Sequence, residues 1–250
     1  RSVEEAVSGL VYAPEASFLE CLTVPSTGAK LQWEVVVNGQ PSAPPTSSTR
    51  PPRVTKVSGY SIDASRTEGR TAFRIEGQEF GPVGLGSPSI QVTYGPTGRE
   101  YEAVGCEVTS VAIEATPSAS DNRNHNATIT CASVAGVGSH HAVIVRVSGQ
   151  ESDVFASRTR GQAALFSYAE PRILAVSESV VNTGSNREIH IFGQNFGPPV
   201  APGGGGENRL GQVEVSFGGG NVTSLRHVSH VEIFFVVPDW QIGENKPVVV

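Results

Sequence analysis

The stretch Phe73–Pro82 reads FRIEGQEFGP, and Ile189–Pro198 reads IHIFGQNFGP. In both, an alternating apolar run enters a Gly-Gln-x-Phe-Gly-Pro segment, which predicts a half-buried strand leading into a glycine-bounded turn. Each copy has a similar lead-in, Pro52-Arg53-Val54 and Pro171-Arg172-Ile173. The lead-ins lie 119 residues apart and the motif glycines Gly77 and Gly193 lie 116 apart. Recurrence at that offset marks a duplicated unit about one domain long.

Composition agrees with a strand-and-turn protein. Gly (28) and Pro (17) are frequent and only 17% of the 250 residues are charged, too few for long helices with solvated charged faces. The net charge of −6, with no Lys/Arg block beyond the pair Arg158 and Arg160, excludes the electrostatic footprint of a nucleic-acid binder. No apolar run approaches the roughly 20 residues of a membrane-spanning helix, so this segment is expected to make no membrane contact. The chain begins at Arg1 and contains no Met, and is expected to be an internal piece of a longer protein.

Following the alternation fixes the phase of the repeat. Phe73 and Ile75 share one strand face, Ile90, Val92 and Tyr94 a second, and Val143, Val145 and Val147 a third. The second copy repeats the first two sets as Ile189 and Ile191, then Val213, Val215 and Phe217, and Gly95 and Gly218 close the matching strands. Cys131, Gly138 and Gly149 recur 110 residues earlier as Cys21, Gly28 and Gly39, which aligns Trp33, Val35 and Val37 with the core valines. Gly243 and Val248-Val249-Val250 repeat the marks again. The expected division is 1–50, the C-terminal half of a unit; 52–169, a complete unit; and 171–250, a unit truncated at its C-terminus.

This phase accounts for an odd number of cysteines. Cys106 and Cys131 fall in separate strand-like segments of the complete unit and are expected to form a disulfide, with the partner of Cys21 upstream of Arg1. In the last unit the matching positions, near His227 and Val236, carry no cysteine. A disulfide implies an oxidising compartment. Three buried free thiols are the alternative. Asn126-Ala127-Thr128 and Asn221-Val222-Thr223 make Asn126 and Asn221 glycosylation candidates, although chance alone supplies about two such triplets in a chain this rich in Asn, Ser and Thr.

The Pro-Arg-Val/Ile openings, the Gly77-x-x-Phe80-Gly81 and Gly193-x-x-Phe196-Gly197 turns and the Cys131 to Val147 tail together resemble the IPT/TIG domain. This is the immunoglobulin-like module of plexins, the hepatocyte growth factor receptor, fibrocystin-like receptors and some transcription factors. The resemblance implies an all-β fold of tandem immunoglobulin-like β-sandwich domains, with Phe80 and Phe196 as core anchors. It implies no catalytic residue, no cofactor and no metal. Two departures are a polar insert at 111–127 and a loop from Gly197 to Gly211 carrying Gly203-Gly204-Gly205-Gly206, both places where recognition can be added to a rigid scaffold.

Site chemistry is otherwise sparse. The glycine run has no following Gly-Lys-Ser/Thr, so it is not a phosphate loop. His140 and His141, or His227 and His230, would face opposite sides of a strand and make poor metal ligands. No nucleophile elbow or EF-hand pattern occurs. Because IPT/TIG-like modules accompany some polysaccharide enzymes, Trp240 after Pro238 is the candidate glycan platform. The resulting expectation is a non-enzymatic structural or adhesive segment of a cell-surface or secreted protein, in an extracellular filament or coat. The alternatives are a carbohydrate-binding module array, or a plexin-like receptor ectodomain with a protein ligand. Its partners are neighbouring immunoglobulin-like domains of the same chain and a protein or glycan ligand at the cell surface. Pro51-Pro52 and Glu170-Pro171 are expected to stiffen the junctions.

Overall fold

The computed structural model describes residues 26–60, 62–86, 89–112, 126–155, 166–178, 188–199, 213–217, 220–222, 225–236 and 248–249. Among them there is no helix. The N-terminal part holds β1 (Leu31–Gln32), β2 (Val36–Val37), β3 (Gln40–Pro41) and β4 (Thr46–Ser47), with β1 paired to β4 and β2 to β3. The middle part runs through β5 (Arg53–Ser58), β6 (Ala72–Gln78), β7 (Ile90–Gly95), β8 (Tyr101–Glu102), β9 (Val104–Ala112), β10 (Asn126–Ala132), β11 (Ala142–Val147) and β12 (Gln150–Glu151). These form two antiparallel sheets, ordered β5-β6-β10-β9 and β12-β11-β7-β8. The last part contains β13 (Arg172–Val176), β14 (Glu188–Gln194), β15 (Ser216–Phe217), β16 (Gly220–Asn221), β17 (Leu225–Ser229), β18 (Glu232–Val236) and β19 (Val248–Val249). Its sheets are ordered β13-β14-β18-β17 and β16-β15-β19.

Each sheet pair encloses its own apolar core. Phe73, Ile75, Ile90, Val92, Tyr94, Val143, Val145 and Val147 all have 2% exposure or less, as their alternation predicts. Ile189, Ile191, Phe196, Val215, Ile233 and Phe235 make the second core. Phe80 and Phe196 are buried, and each ring end lies over the motif glycine three positions earlier in its own turn. A Cβ at Gly77 would overlap the Arg53 carbonyl and the Phe80 ring, and one at Gly193 would overlap the Arg172 carbonyl and the Phe196 ring. The residues before and after each phenylalanine match as well: Glu79 and Asn195 both have φ of 61°, and Gly81 and Gly197 have φ of 88° and 86°. The sequence repeat is a backbone repeat.

The 110-residue offset is equally literal. Asn38-Gly39 (φ 50° and 81°) and Ser148-Gly149 (φ 46° and 83°) close matching hairpins, a positive-φ pair that fits two-residue turns. The pairings Val37 to Gln40 and Val147 to Gln150 are equivalent. Ser42 caps its hairpin by accepting from Val35 N at 3.1 Å, as Ser152 accepts from Val145 N at 3.0 Å.

Burial differs between these two hairpins. Trp33 was expected at a core position by its alignment with Val143, yet it is 40% exposed and donates from Nε1 to Ser47 Oγ at 2.7 Å. Val35 and Val37 are 42% and 67% exposed, because no second sheet of described residues covers them as β5-β6-β10-β9 covers β11. The insert expected at 111–127 is shorter than its sequence bounds: Val111 and Ala112 extend β9, and Asn126 and Ala127 begin β10.

Candidate functional site

The described residues concentrate their unusual chemistry where the two cores meet. Ser133–His141, the segment between β10 and β11, is held by three tyrosines and one histidine. Tyr168 Oη donates to the Val134 carbonyl at 2.7 Å, and Val134 N donates to Tyr94 Oη at 2.9 Å. Since the single Tyr168 proton is used there, the 2.8 Å contact between the two hydroxyls has Tyr94 donating to Tyr168. Tyr101 Oη both donates to Val137 O and accepts from Val137 N, at 3.1 Å each. Burial pushes all three phenol pKa values up, so the hydroxyls stay neutral donors.

His141 completes the network. Its Nε2 lies 3.1 Å from the Val137 carbonyl, which can only accept, so Nε2 carries the proton. The fully buried Nδ1 then has no partner. Burial lowers the His141 pKa, and the surrounding rings of Tyr94, Tyr101, Phe166 and Tyr168 at 5.5–6.2 Å keep the neutral imidazole in place.

The pinned segment presents Val137 to the next core. Between Tyr168, whose N donates to Gly138 O at 2.8 Å, and the start of β13 at Arg172 stand only Ala169, Glu170 and Pro171. Ala169 N donates to Ser65 O at 2.7 Å, Asn195 Nδ2 donates to Glu170 O at 3.1 Å, and Thr67 Oγ1 lies 2.9 Å from His230 Nδ1. Val137 Cγ1 occupies the space a Cβ on Gly197 would need. One junction earlier, Thr27 Cγ2 stands 2.7 Å from where a Cβ on Gly81 would be. Thr27 matches Val137 at the 110-residue offset, and Gly81 matches Gly197 at 116. The same knob meets the same glycine twice.

A cavity of about 300 Å³ opens beside this contact. Val137, Tyr168, Pro171, Phe196 and Val213 supply apolar wall, and Glu170 and Glu214 supply carboxylates.

The expected site residues fall in different places. Cys106 and Cys131 form a disulfide across β9 and β10, with Cα atoms 4.2 Å apart. In the last core the register places Leu225 opposite Phe235, and Phe235 takes the role of Cys131. The substituted positions are therefore Leu225 and Phe235 rather than those near His227 and Val236, because β-bulges shift the register of both outer strand pairs. Asn126 is exposed at the start of β10, its Oδ1 accepting from Gln78 Nε2 at 3.3 Å. Asn221 lies in β16, opposite Ser216. Cys21 and Trp240 lie outside the described residues. His140 is exposed and His141 buried, on opposite sides of the chain. Among the described residues no cluster of metal-ligating side chains occurs, and no helix is long and apolar enough to cross a membrane.

Two sheets packed around an alternating core, repeated along one chain, define an immunoglobulin-like β-sandwich protein. Residues 171–250 match the IPT/TIG domain family, and this segment is an IPT/TIG domain. Among solved structures, a crystal structure with a xylogluco-oligosaccharide is 16% identical (TM-score 0.29), and 88% of this chain aligns with 42% of it. The plexin A4 full extracellular region is 12% identical (TM-score 0.26), with 78% of this chain aligned to 13% of it. SGBP-B from a complex xyloglucan utilization locus in Bacteroides uniformis is 19% identical (TM-score 0.23), with 75% of this chain aligned to 42% of it. The chain thus spans less than half the length of each. No curated protein matches it.

Proposed function

We propose that the chain is a non-enzymatic structural or adhesive segment of a cell-surface or secreted protein, with successive IPT/TIG-like units at 1–50, 52–169 and 171–250. The observation that carries this reading is the repeated junction: Thr27 against Gly81, then Val137 against Gly197. Independent domains on flexible linkers have no reason to repeat a contact, whereas units stacked at constant spacing do. Two residues, Glu170 and Pro171, separate Ala169, the last position hydrogen-bonded within one unit, from the first strand of the next, too few for a free hinge. The Cys106–Cys131 bond and the exposed sequon at Asn126 support an oxidising, extracellular setting. Asn221 is the second proposed glycan acceptor.

The carbohydrate-array alternative is less well supported by the described residues. On the outer face of β14 and β18, His190 stacks on Phe234 at 5.3 Å and 28° and on Phe192 at 6.1 Å and 17°. Arg226 lies over Phe234 at 5.7 Å. His190 and Arg226 both lie against the Phe234 ring, while a sugar platform needs a free ring face.

Residual dipolar couplings on the full chain test the stacking. A single alignment tensor should fit the amides of β6 and β10 together with those of β14 and β18. Two independent tensors would show freely moving domains and overturn the proposal.

A further inference from the structure

The cavity between the two cores has a composition that selects its occupant. Its walls are apolar, and among the described residues its only ionisable lining groups besides the Tyr168 phenol are the carboxylates of Glu170 and Glu214. Both side chains are exposed at the mouth, and neither has an ion-pair partner among the described residues. Among the described residues no Lys, Arg or His lines the space. At about 300 Å³ it stands at the lower bound of small-molecule sites, a size suited to one long side chain and not to a nucleotide-sized cofactor.

We propose that this junction cavity receives a lysine or arginine side chain of a partner polypeptide. The methylene stem lies along Val137, Pro171, Phe196 and Val213, and the cationic head meets Glu170 and Glu214. Long basic side chains combine an apolar stem with a charged end, which is the combination these walls and this rim complement. The chain's net charge of −6 adds long-range attraction for a basic segment and repulsion for an anionic one. Neither carboxylate is held by a hydrogen bond or ion pair among the described residues, which leaves both open to a ligand. Because the walls come from two units, the inference rests on the fixed junction proposed above.

The test titrates the isotopically labelled full chain with acetyl-Ala-Arg-Ala-amide and with the same peptide carrying neutral citrulline in place of arginine. The arginine peptide should shift the amides of Val137, Gly138, Asn195 and Phe196. The citrulline peptide should leave them in place. Glu170→Gln with Glu214→Gln should weaken arginine-peptide binding by at least about threefold, the scale of losing two solvent-exposed charge pairs. These exposed substitutions leave both cores intact, which unchanged spectra elsewhere verify. Absence of shifts, shifts confined to other surfaces, equal binding of the citrulline peptide, or undiminished binding by the double variant would each overturn the proposal. If one alignment tensor fits both cores and the arginine peptide still fails, this inference alone is lost. Two tensors would remove the cavity and overturn both readings.

Discussion

Gly197→Ala is the most informative perturbation, because two separable penalties meet at one atom. Gly197 has φ of 86°, where an L side chain costs about 1–2 kcal/mol. Its new Cβ would also overlap Val137 Cγ1 across the junction, and relief of such overpacking costs about 1–3 kcal/mol. The same Cβ would lie 3.8 Å from Val137 Cβ, an ordinary contact. Val137→Ala therefore removes the overlapping atom and leaves the backbone strain untouched. Val137→Ala alone should cost about 1 kcal/mol, since the side chain is half-buried. In the double variant the costs should fall short of their sum by about 1–3 kcal/mol. Amide exchange of Ile191 and Ile233, at the centre of the second core, reads the stability of that unit in all four proteins. A coupling energy within about 0.3 kcal/mol of zero would mean that the two units separate freely, and the fixed-junction reasoning would be refuted.

Other outcomes follow from the same geometry. Cys106→Ala with Cys131→Ala should destabilise the middle core by about 3.5 kcal/mol in urea titration, the chain-entropy value for a sequence separation of 25, and leave the last core unchanged. Phe80→Ala should cost about 3–5 kcal/mol in the same assay, because its buried ring fills the space above Gly77. For pH, His141 has a folded pKa below its unfolded value of about 6.5, so both states are neutral above that pH and stability is independent of this group there. As pH falls below about 6.5 the unfolded chain gains a proton that the folded chain refuses, so the middle core should lose up to about 1.4 kcal/mol per pH unit until the folded pKa is reached. Comparing denaturation of wild type and His141→Phe between pH 7.5 and roughly pH 5 checks this, and an identical slope in both proteins would contradict it.

The repeat was legible because its residues are the ones backbone geometry restricts most. Gly77 and Gly81 sit where a Cβ collides or φ is positive, and the Phe80 ring fills the space over Gly77, so the same residues return in the second copy as Gly193, Phe196 and Gly197. Alternation similarly exposed the core valines of β11. Trp33 misled because pattern reports which face a residue occupies and not whether another sheet covers that face. The exchange of the disulfide for Leu225 and Phe235 was misplaced by one or two residues, since bulges in β9 and β17 leave no trace in apolar periodicity. The tyrosine and histidine network was not legible. Tyr94, Tyr101, His141 and Tyr168 are dispersed along the chain, and only the fold converges them on Val134 and Val137. The junction cavity is likewise the product of two units, with walls that read individually as core or turn residues.

The central claim is that successive units are held in one orientation by the Val137 to Gly197 contact. Spin labels at Arg74→Cys and Glu188→Cys, exposed positions on the corresponding strands β6 and β14, report that orientation directly in a Cys21→Ser background. Pulsed dipolar spectroscopy should give one narrow distance distribution in the parent and a broadened one in Gly197→Ala. A broad distribution in the parent, unchanged by Gly197→Ala, would contradict the claim.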